Sequence, residues 1–213
     1  MQNKILLTGF DAFGGATLNP SWLAVKALHG RQVLGHTVVA AQLPTVFDAS
    51  LNELNALLRK HRPALVVCVG QAGGRGALSL ERVAINVNDA PIADNAGAQP
   101  VDTAVKQGAP TAYFTSLPIK AMLAELQQAG IAAEVSQTAG TFVCNHVFYG
   151  LMHALATRRE LKHTRGGFIH VPWLPEQGSP SMPLEDIVRG LKLAVRCAML
   201  IEQDTALGAG ATN

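Results

Sequence analysis

At 213 residues, 48% of them hydrophobic and 15% charged, the chain is long enough to bury the core of one domain and too apolar to remain disordered. A formal net charge of +2 without a long basic run argues against nucleic acid as a partner, and no apolar segment approaches the roughly 20 residues that a bilayer-spanning helix needs. The three cysteines, Cys68, Cys144 and Cys197, are widely spaced and form no C-x-x-C pair, which fits free thiols in a reducing, cytoplasmic setting.

The N-terminus leads directly into a buried strand, Lys4-Ile5-Leu6-Leu7-Thr8, leaving no room for a signal peptide. The strand runs out into Gly9-Phe10-Asp11-Ala12-Phe13-Gly14-Gly15. A helix is expected from Asn19-Pro20-Ser21, where Asn suits the cap and Pro the first helical position, through Trp22, Val25 and Leu28 to Gly30. Residues 37–43 predict a second strand, and the spacing of Leu51, Leu54, Leu57 and Leu58 predicts a helix over 47–62. Ala64-Leu65-Val66-Val67-Cys68-Val69-Gly70 is apolar on both faces, as a central parallel strand covered by helices is. Residues 81–88 alternate and predict a strand with one more polar face, and 88–110 read as loop. Short strands near 111–115 and 132–136 flank a helix expected over 118–128 that stops at Gly130. A helix over 144–162, a strand over 167–172 and an amphipathic helix over about 183–204 complete the pattern, with 205–213 a frayed Gly/Ala-rich tail. This alternation predicts one α/β domain over residues 1–204, its largely parallel sheet held between helix layers. The functional crevice of such a sheet lies beyond the carboxyl ends of its strands, where Asp11, Phe13, Gln71, Cys144 and His170 fall.

Cys144 carries the most chemical promise. Thr141-Phe142-Val143-Cys144-Asn145-His146 enters a helical pattern, so the thiol stands at or near a helix N-terminus, where unpaired N–H groups and the positive dipole end favour a thiolate. A thiolate is the nucleophile of cysteine catalysis; the competing expectation is a buried structural cysteine. Among seven histidines, His29, His61 and His163 fall near helix C-termini, His36 in a turn, and His153 on the helix after Cys144. His146 is two residues from the thiol on the same helix and points elsewhere, as a packing or supporting residue. His170 ends an apolar strand and precedes the rigid Val171-Pro172-Trp173-Leu174-Pro175, which makes it the expected general base. The group that orients its far nitrogen is best sought at Glu81, which opens a strand just after the glycine-rich loop 70–76; Asp89, Asp94, Asp102 and Glu176 are the alternatives. That loop lacks the Lys-Ser/Thr of a phosphate loop and suits a substrate that approaches the backbone closely. No Cys/His set has metal-ligand spacing, so neither a metal nor another cofactor is expected.

These segments resemble a known family. Gly9-Phe10-Asp11-Ala12-Phe13-Gly14-Gly15 with Asn19-Pro20-Ser21, Glu81-Arg82-Val83-Ala84-Ile85-Asn86, Gly140-Thr141-Phe142-Val143-Cys144-Asn145, and Phe168-Ile169-His170-Val171-Pro172 with Pro175-Glu176-Gln177 are similar, in order and over nearly the whole chain, to pyroglutamyl peptidase I. The resemblance implies a single-domain α/β/α sandwich and a cytosolic, cofactor-free cysteine exopeptidase, often homotetrameric, that removes N-terminal pyroglutamyl (5-oxoproline) residues from peptides. It also implies a Cys144–His170–Glu81 triad and a ring pocket at Phe10, Phe13, Thr45, Ile92, Phe142 and Val143, with the Gln71 backbone addressing the lactam. Phe13 and Phe142 could then sandwich the ring. One departure stands out: the family's arginine after Asn88-Asp89-Ala90, an oxyanion donor by that resemblance, is Pro91 here, which can donate no hydrogen bond. The Cys144 N–H, with Arg82 or Arg75, would have to serve instead. The loss of that arginine leaves two rival expectations open, a hydrolase of another small amide and a pyroglutamyl-peptide binder without turnover.

Overall fold

The computed structural model describes residues 3–210. Among them, seven strands form one twisted sheet. Strand β1 (Lys4–Phe10) lies between β3 (His36–Leu43) and β4 (Leu65–Gln71), parallel to both, and β9 (Arg165–Val171) continues the parallel run beyond β4. β5 (Leu78–Glu81) then reverses direction against β9, with β8 (Ala133–Ser136) parallel to it at the edge; β2 (Gln32–Val33) closes the other edge, antiparallel to β3. The sheet is therefore mixed, with a parallel centre.

Alternation along the strands sorts the core into two layers. Ile5 and Leu7, Leu65, Val67 and Val69, Leu78 and Leu80, and Ile169 and Val171 face one side, under α1 (Pro20–Ala27), α3 (Ile119–Gln128) and α5 (Leu184–Leu200). Leu6 and Phe10, Val66 and Cys68, and Phe168 face the other, under α2 (Phe47–His61) and α4 (Val143–Thr157). The chain is thus the expected α/β sandwich. Because the side-chain period is 2, the same sorting directs Gly70, Ser79, Glu81 and His170 to the α4 side, and that face becomes the chemical one.

The first helix starts as expected: Asn19 Oδ1 accepts from the Ser21 N–H at 3.0 Å, and Pro20 occupies the first helical position. Three boundaries differ from the sequence reading. The strand expected over 81–88 is divided: β5 ends at Glu81 in the main sheet, and β6 (Val83–Ile85) pairs with β7 (Ala112–Phe114) in a separate antiparallel ribbon. Arg82 is the junction, its N–H bound to Ser136 O and its carbonyl accepting from the Thr115 N–H. Local alternation cannot reveal such a split, because it is decided by which distant strand each half finds. The helix expected over 144–162 begins at Val143 and ends at Thr157, before a short 3₁₀ turn, Arg159–Leu161. The last helix stops at Leu200, and the Asp204 carboxylate instead accepts the N–H groups of Lys120 and Ala121 at the start of α3.

The 88–110 segment is loop as expected, but it is anchored. The Asp94 carboxylate takes the Phe47 N–H at the start of α2 (3.0 Å) as well as the N–H groups of Ala96 and Ala98. Burial alone would raise its pKa, but these backbone donors outweigh that cost and hold the pKa below the ordinary carboxylate value. No helix among the described residues is long and apolar enough to cross a membrane.

Candidate active site

The carboxyl ends of β4 and β9, the end of β5 and the first turn of α4 meet at one place. His170 pairs in register with Gly70 on β4 and with Ser79 on β5. A Cβ added at Gly70 would lie 2.7 Å from Cys144 Sγ and 2.8 Å from Phe168 Cζ, so the absent side chain is what lets the thiol settle on the sheet beside His170. On the same face, the Nδ1–H of His170 donates to Glu81 Oε1 at 2.8 Å. A carboxylate can only accept, so that bond puts the neutral imidazole's proton on Nδ1 and leaves Nε2 as the basic nitrogen. Glu81 and His170 are both buried, at 0% and 4% exposure.

Of the rival acids, Asp94 caps α2, Asp89 and Asp102 are exposed on the long loop, and Glu176 is exposed on the turn beyond β9. Only Glu81, among the described residues, is hydrogen-bonded to the His170 side chain.

Glu81 has a second partner that the sequence reading assigned elsewhere. Arg75 Nη1 donates to the same Oε1 at 2.9 Å and reaches Ser136 Oγ at 3.4 Å, while Nη2 reaches Thr138 O at 3.4 Å. Arg82 Nη2 donates to Ala209 O at 3.0 Å. Both guanidinium groups considered as replacement oxyanion donors are thus committed elsewhere, one to the buried carboxylate and one to the C-terminal segment. The sequence carried no local signal for the Arg75–Glu81 pair beyond an arginine in a glycine loop six residues before a strand-end acid.

The thiol departs from expectation in one respect. The helix end was expected to favour the thiolate, but burial pushes the Cys144 thiol up to about 12, with the Glu81 charge adding to the rise and Arg75 opposing it. The residue as a whole is only half-buried, yet its sulfur lies against Gly70 and over the packed Cys68 layer. Desolvation outweighs the favourable charge of Arg75, and the shift is toward the neutral thiol. No side chain among the described residues caps the first turn of α4.

The helix carrying the thiol is fixed by Asn145, which is fully buried. Its Nδ2 donates to Ile85 O and Val87 O (both 2.9 Å), and its Oδ1 accepts from the Ile85 N–H at 3.1 Å. A buried, fully bonded Asn directly after the cysteine was the missed signal. His146 supports the site from behind, as expected: its Nδ1–H donates to Asn88 Oδ1 at 2.9 Å and its ring meets Phe47 edge-on.

The residues of the expected ring pocket divide into three groups. Phe13, Gln71 and Ile92 line a cavity of about 570 Å³, whose wall continues along residues 14–18 and the turn after β9. Phe142 packs on Phe13 at a centroid distance of 6.1 Å and edge-on against Phe47 at 5.5 Å. The two rings of the expected sandwich therefore touch each other, and a ring seated between them requires them to part. Phe10 and Val143 are buried in the core below, Phe10 against Phe168. Thr45 braces the crevice loop: its N–H donates to Asp11 Oδ1 at 2.7 Å and its hydroxyl to Asp11 O at 3.3 Å. Pro91 is exposed and carries no polar side chain to offer; the loop before it is tied to the entry of α4, with the Asp89 N–H on Thr141 O (3.0 Å) and the Thr141 hydroxyl on Asp89 O (2.6 Å). Among the described residues no cluster of three His, Cys, Asp or Glu side chains could hold a metal ion.

The sequence profile of the family "Pyroglutamyl peptidase" matches residues 3–201. This chain belongs to that family. It is 58% identical over 205 residues to the pyrrolidone-carboxylate peptidase of Cupriavidus taiwanensis, a match covering 94% of each chain. Its fold is that of the pyroglutamyl peptidase I of Bacillus amyloliquefaciens, at a TM-score of 0.94 and 51% identity, covering 98% of this chain and 100% of that one. The more distant pyrrolidone carboxyl peptidase of Thermococcus litoralis superposes with a TM-score of 0.93 at 32% identity, over 97% and 99% of the two chains. The family suggested by the short motifs thus holds from the first strand to the last helix.

Proposed function

We propose that the chain is a cysteine exopeptidase that hydrolyses the amide bond after an N-terminal pyroglutamyl residue, with Cys144 as nucleophile, His170 as acid–base and Glu81 as its orienting carboxylate. The observation that carries this reading is the thiol settled on Gly70, beside a histidine whose far nitrogen is bonded to a buried carboxylate, in a chain of the pyroglutamyl peptidase family.

Catalysis begins from the neutral thiol. As Sγ attacks the pyroglutamyl carbonyl, its proton passes to His170 Nε2, and Glu81 stabilises the imidazolium that forms. The oxyanion of the tetrahedral intermediate is met by the uncapped first turn of α4, where the Cys144 N–H and the helix dipole supply positive charge. His170 protonates the departing amine, leaving a thioester. Water, deprotonated by His170, then releases pyroglutamate and restores the thiol.

Selectivity rests on charge. The lactam is neutral and has one N–H and one C=O to satisfy, whereas an unblocked N-terminus would bring an ammonium against Phe13, Phe142 and Ile92 without a partner, at a cost of several kcal/mol. Hydrolysis of a fluorogenic L-pyroglutamyl amide by the native protein and by Cys144→Ser tests the proposal. Turnover that vanishes in the variant, with a pyroglutamyl adduct on Cys144 in the mass spectrum of quenched reactions, is the expected result. Undiminished turnover in Cys144→Ser removes the nucleophile, and no turnover by the native protein removes the activity.

A further inference from the structure

The cavity at the carboxyl end of β4, lined by Phe13, Gln71 and Ile92, is larger than one five-membered lactam requires. Its volume of about 570 Å³ falls in the range that holds ligands the size of two or three residues. Phe13 and Ile92, beside Phe142, belong to the expected ring site, but Trp173, Glu176 and Gln177 also line the cavity, and they lie on the turn that follows β9. That turn begins immediately after His170 and Val171. The amine that His170 protonates therefore leaves beside it, and the peptide that follows the scissile bond has this wall to lie against.

The wall is built rather than loose. A Cβ at Gly73 would come within 2.3 Å of Trp173 Cζ2 and one at Gly178 within 3.0 Å of Cε3, so two glycine backbones press on the indole. The Trp173 carbonyl is held by the Met182 N–H at 2.8 Å, and Gln177 Nε2 donates to Gln71 Oε1 at 3.2 Å, tying the turn to the end of β4. Glu176 is exposed, has no hydrogen-bond or ion-pair partner among the described residues, and is the one charged side chain on the cavity wall. A fixed aromatic surface and an unpaired carboxylate in one crevice attract a cation twice, through the ring face and through the charge.

Resting on the peptidase reading above, we propose that Trp173 and Glu176 form a subsite for the leaving peptide, selecting an arginine or lysine side chain at one of the two positions after the pyroglutamyl residue. Five peptide amides test it: pGlu-Ala-Ala as reference, and its forms with Arg or Glu at the second or the third position. At low ionic strength kcat/KM for an Arg peptide is expected to exceed that of the matching Glu peptide by about three- to tenfold, the range for an exposed charge acting once in attraction and once in repulsion. The ratio should shrink at about 0.5 M salt, approach unity in Glu176→Gln and invert in Glu176→Lys. Equal rates for Arg and Glu peptides in the native protein, or a ratio that neither Glu176 variant changes, would overturn the subsite while leaving the peptidase intact. Failure to cleave pGlu-Ala-Ala would overturn the peptidase reading, and the subsite with it.

Discussion

Removing the Arg75 cation separates a structural ion pair from a part of the catalytic machinery. Glu81 is fully buried, and its Oε2 has no hydrogen-bond partner among the described residues; the whole charge is held at Oε1, by His170 Nδ1 at 2.8 Å and Arg75 Nη1 at 2.9 Å. In Arg75→Gln the carboxylate keeps one strong donor where it had two. A hydrogen bond to a charged group contributes about 1.5–3 kcal/mol, and the guanidinium is 31% exposed, so screening places the loss near about 1–2 kcal/mol. If that loss falls on the imidazolium formed in the transition state, kcat/KM drops about 5- to 30-fold at neutral pH. Its pH dependence has a sign. Without the neighbouring cation the Cys144 thiol, which Arg75 holds down, rises further. A thiol that is harder to deprotonate lowers kcat/KM on both limbs of the rate profile, and Arg75→Lys should recover part of the loss. The assay is kcat/KM for a fluorogenic pyroglutamyl amide between about pH 5 and 10, with thermal melting alongside. A variant with native kcat/KM and native limbs would refute the assignment, and so would a rate that falls only in step with lost folded protein.

Other perturbations read other parts of the site. Pro91→Arg returns a donor beside the α4 entry and should raise kcat at least about tenfold with little change in KM, since one oxyanion donor is worth about 10²–10³ in rate; an unchanged kcat in steady-state assays would deny the position that role. His170→Ala leaves a thiol whose burial pushes it up to about 12 without its base, so iodoacetamide labelling of Cys144 at pH 7.5 should slow by about 10² or more, as followed by mass spectrometry. Gly70→Ala puts a Cβ 2.7 Å from Sγ and should cost about 1–3 kcal/mol of stability in a melt and about 10² in kcat, because both the thiol and Phe168 must move. Burial lowers His146 from 6.5 to about 4, so the unfolded chain binds a proton in that window that the folded one refuses. The stability due to neutral His146 is complete above pH 6.5 and falls by about 3 kcal/mol as pH drops to 4; denaturant titrations of His146→Gln should show a flatter acid slope.

How much of this was legible beforehand follows from the range of the interactions involved. The strand 64–70 and the helix start at Asn19-Pro20 were readable because their causes are local: an apolar run, a cap and a fixed φ. The break at Arg82 was not, since β5 is held by β8 and β9 on its two sides while β6 turns to a strand almost 30 residues away. Glu81 and His170 were chosen by their place at strand ends and Cys144 by its place at a helix start, and period-2 geometry brings Glu81 and His170 to one face. Arg75 was read as an oxyanion donor because nothing around it in sequence says that its partner is a buried carboxylate. The thiol's acidity was misjudged for a similar reason: a helix N-terminus is visible in the sequence, whereas the packing over Cys68 and Gly70 that desolvates the sulfur exists only once the sheet has formed.

That misjudgement bears on selectivity. A resting thiolate would place a negative charge within reach of the residue bound at Cys144, and a free α-ammonium would find there the partner that the apolar wall of Phe13, Phe142 and Ile92 denies it. A neutral resting thiol offers no such partner. In the proposed mechanism charge appears only when substrate is in place and the proton moves to His170, next to Glu81, which is itself held by Arg75. On this reading the energetic cost of burying Sγ is also what keeps the pocket electrically neutral toward unblocked peptides. The consequence is measurable in inhibition by amines: protonated proline amide, which carries the ring with a charge in place of the lactam, should bind far more weakly than the neutral 2-pyrrolidone ring. Moving a positive group next to the site, or lowering the thiol by other means, should narrow that difference. Comparable inhibition constants for the two rings in the native protein would show that charge is not what the pocket rejects.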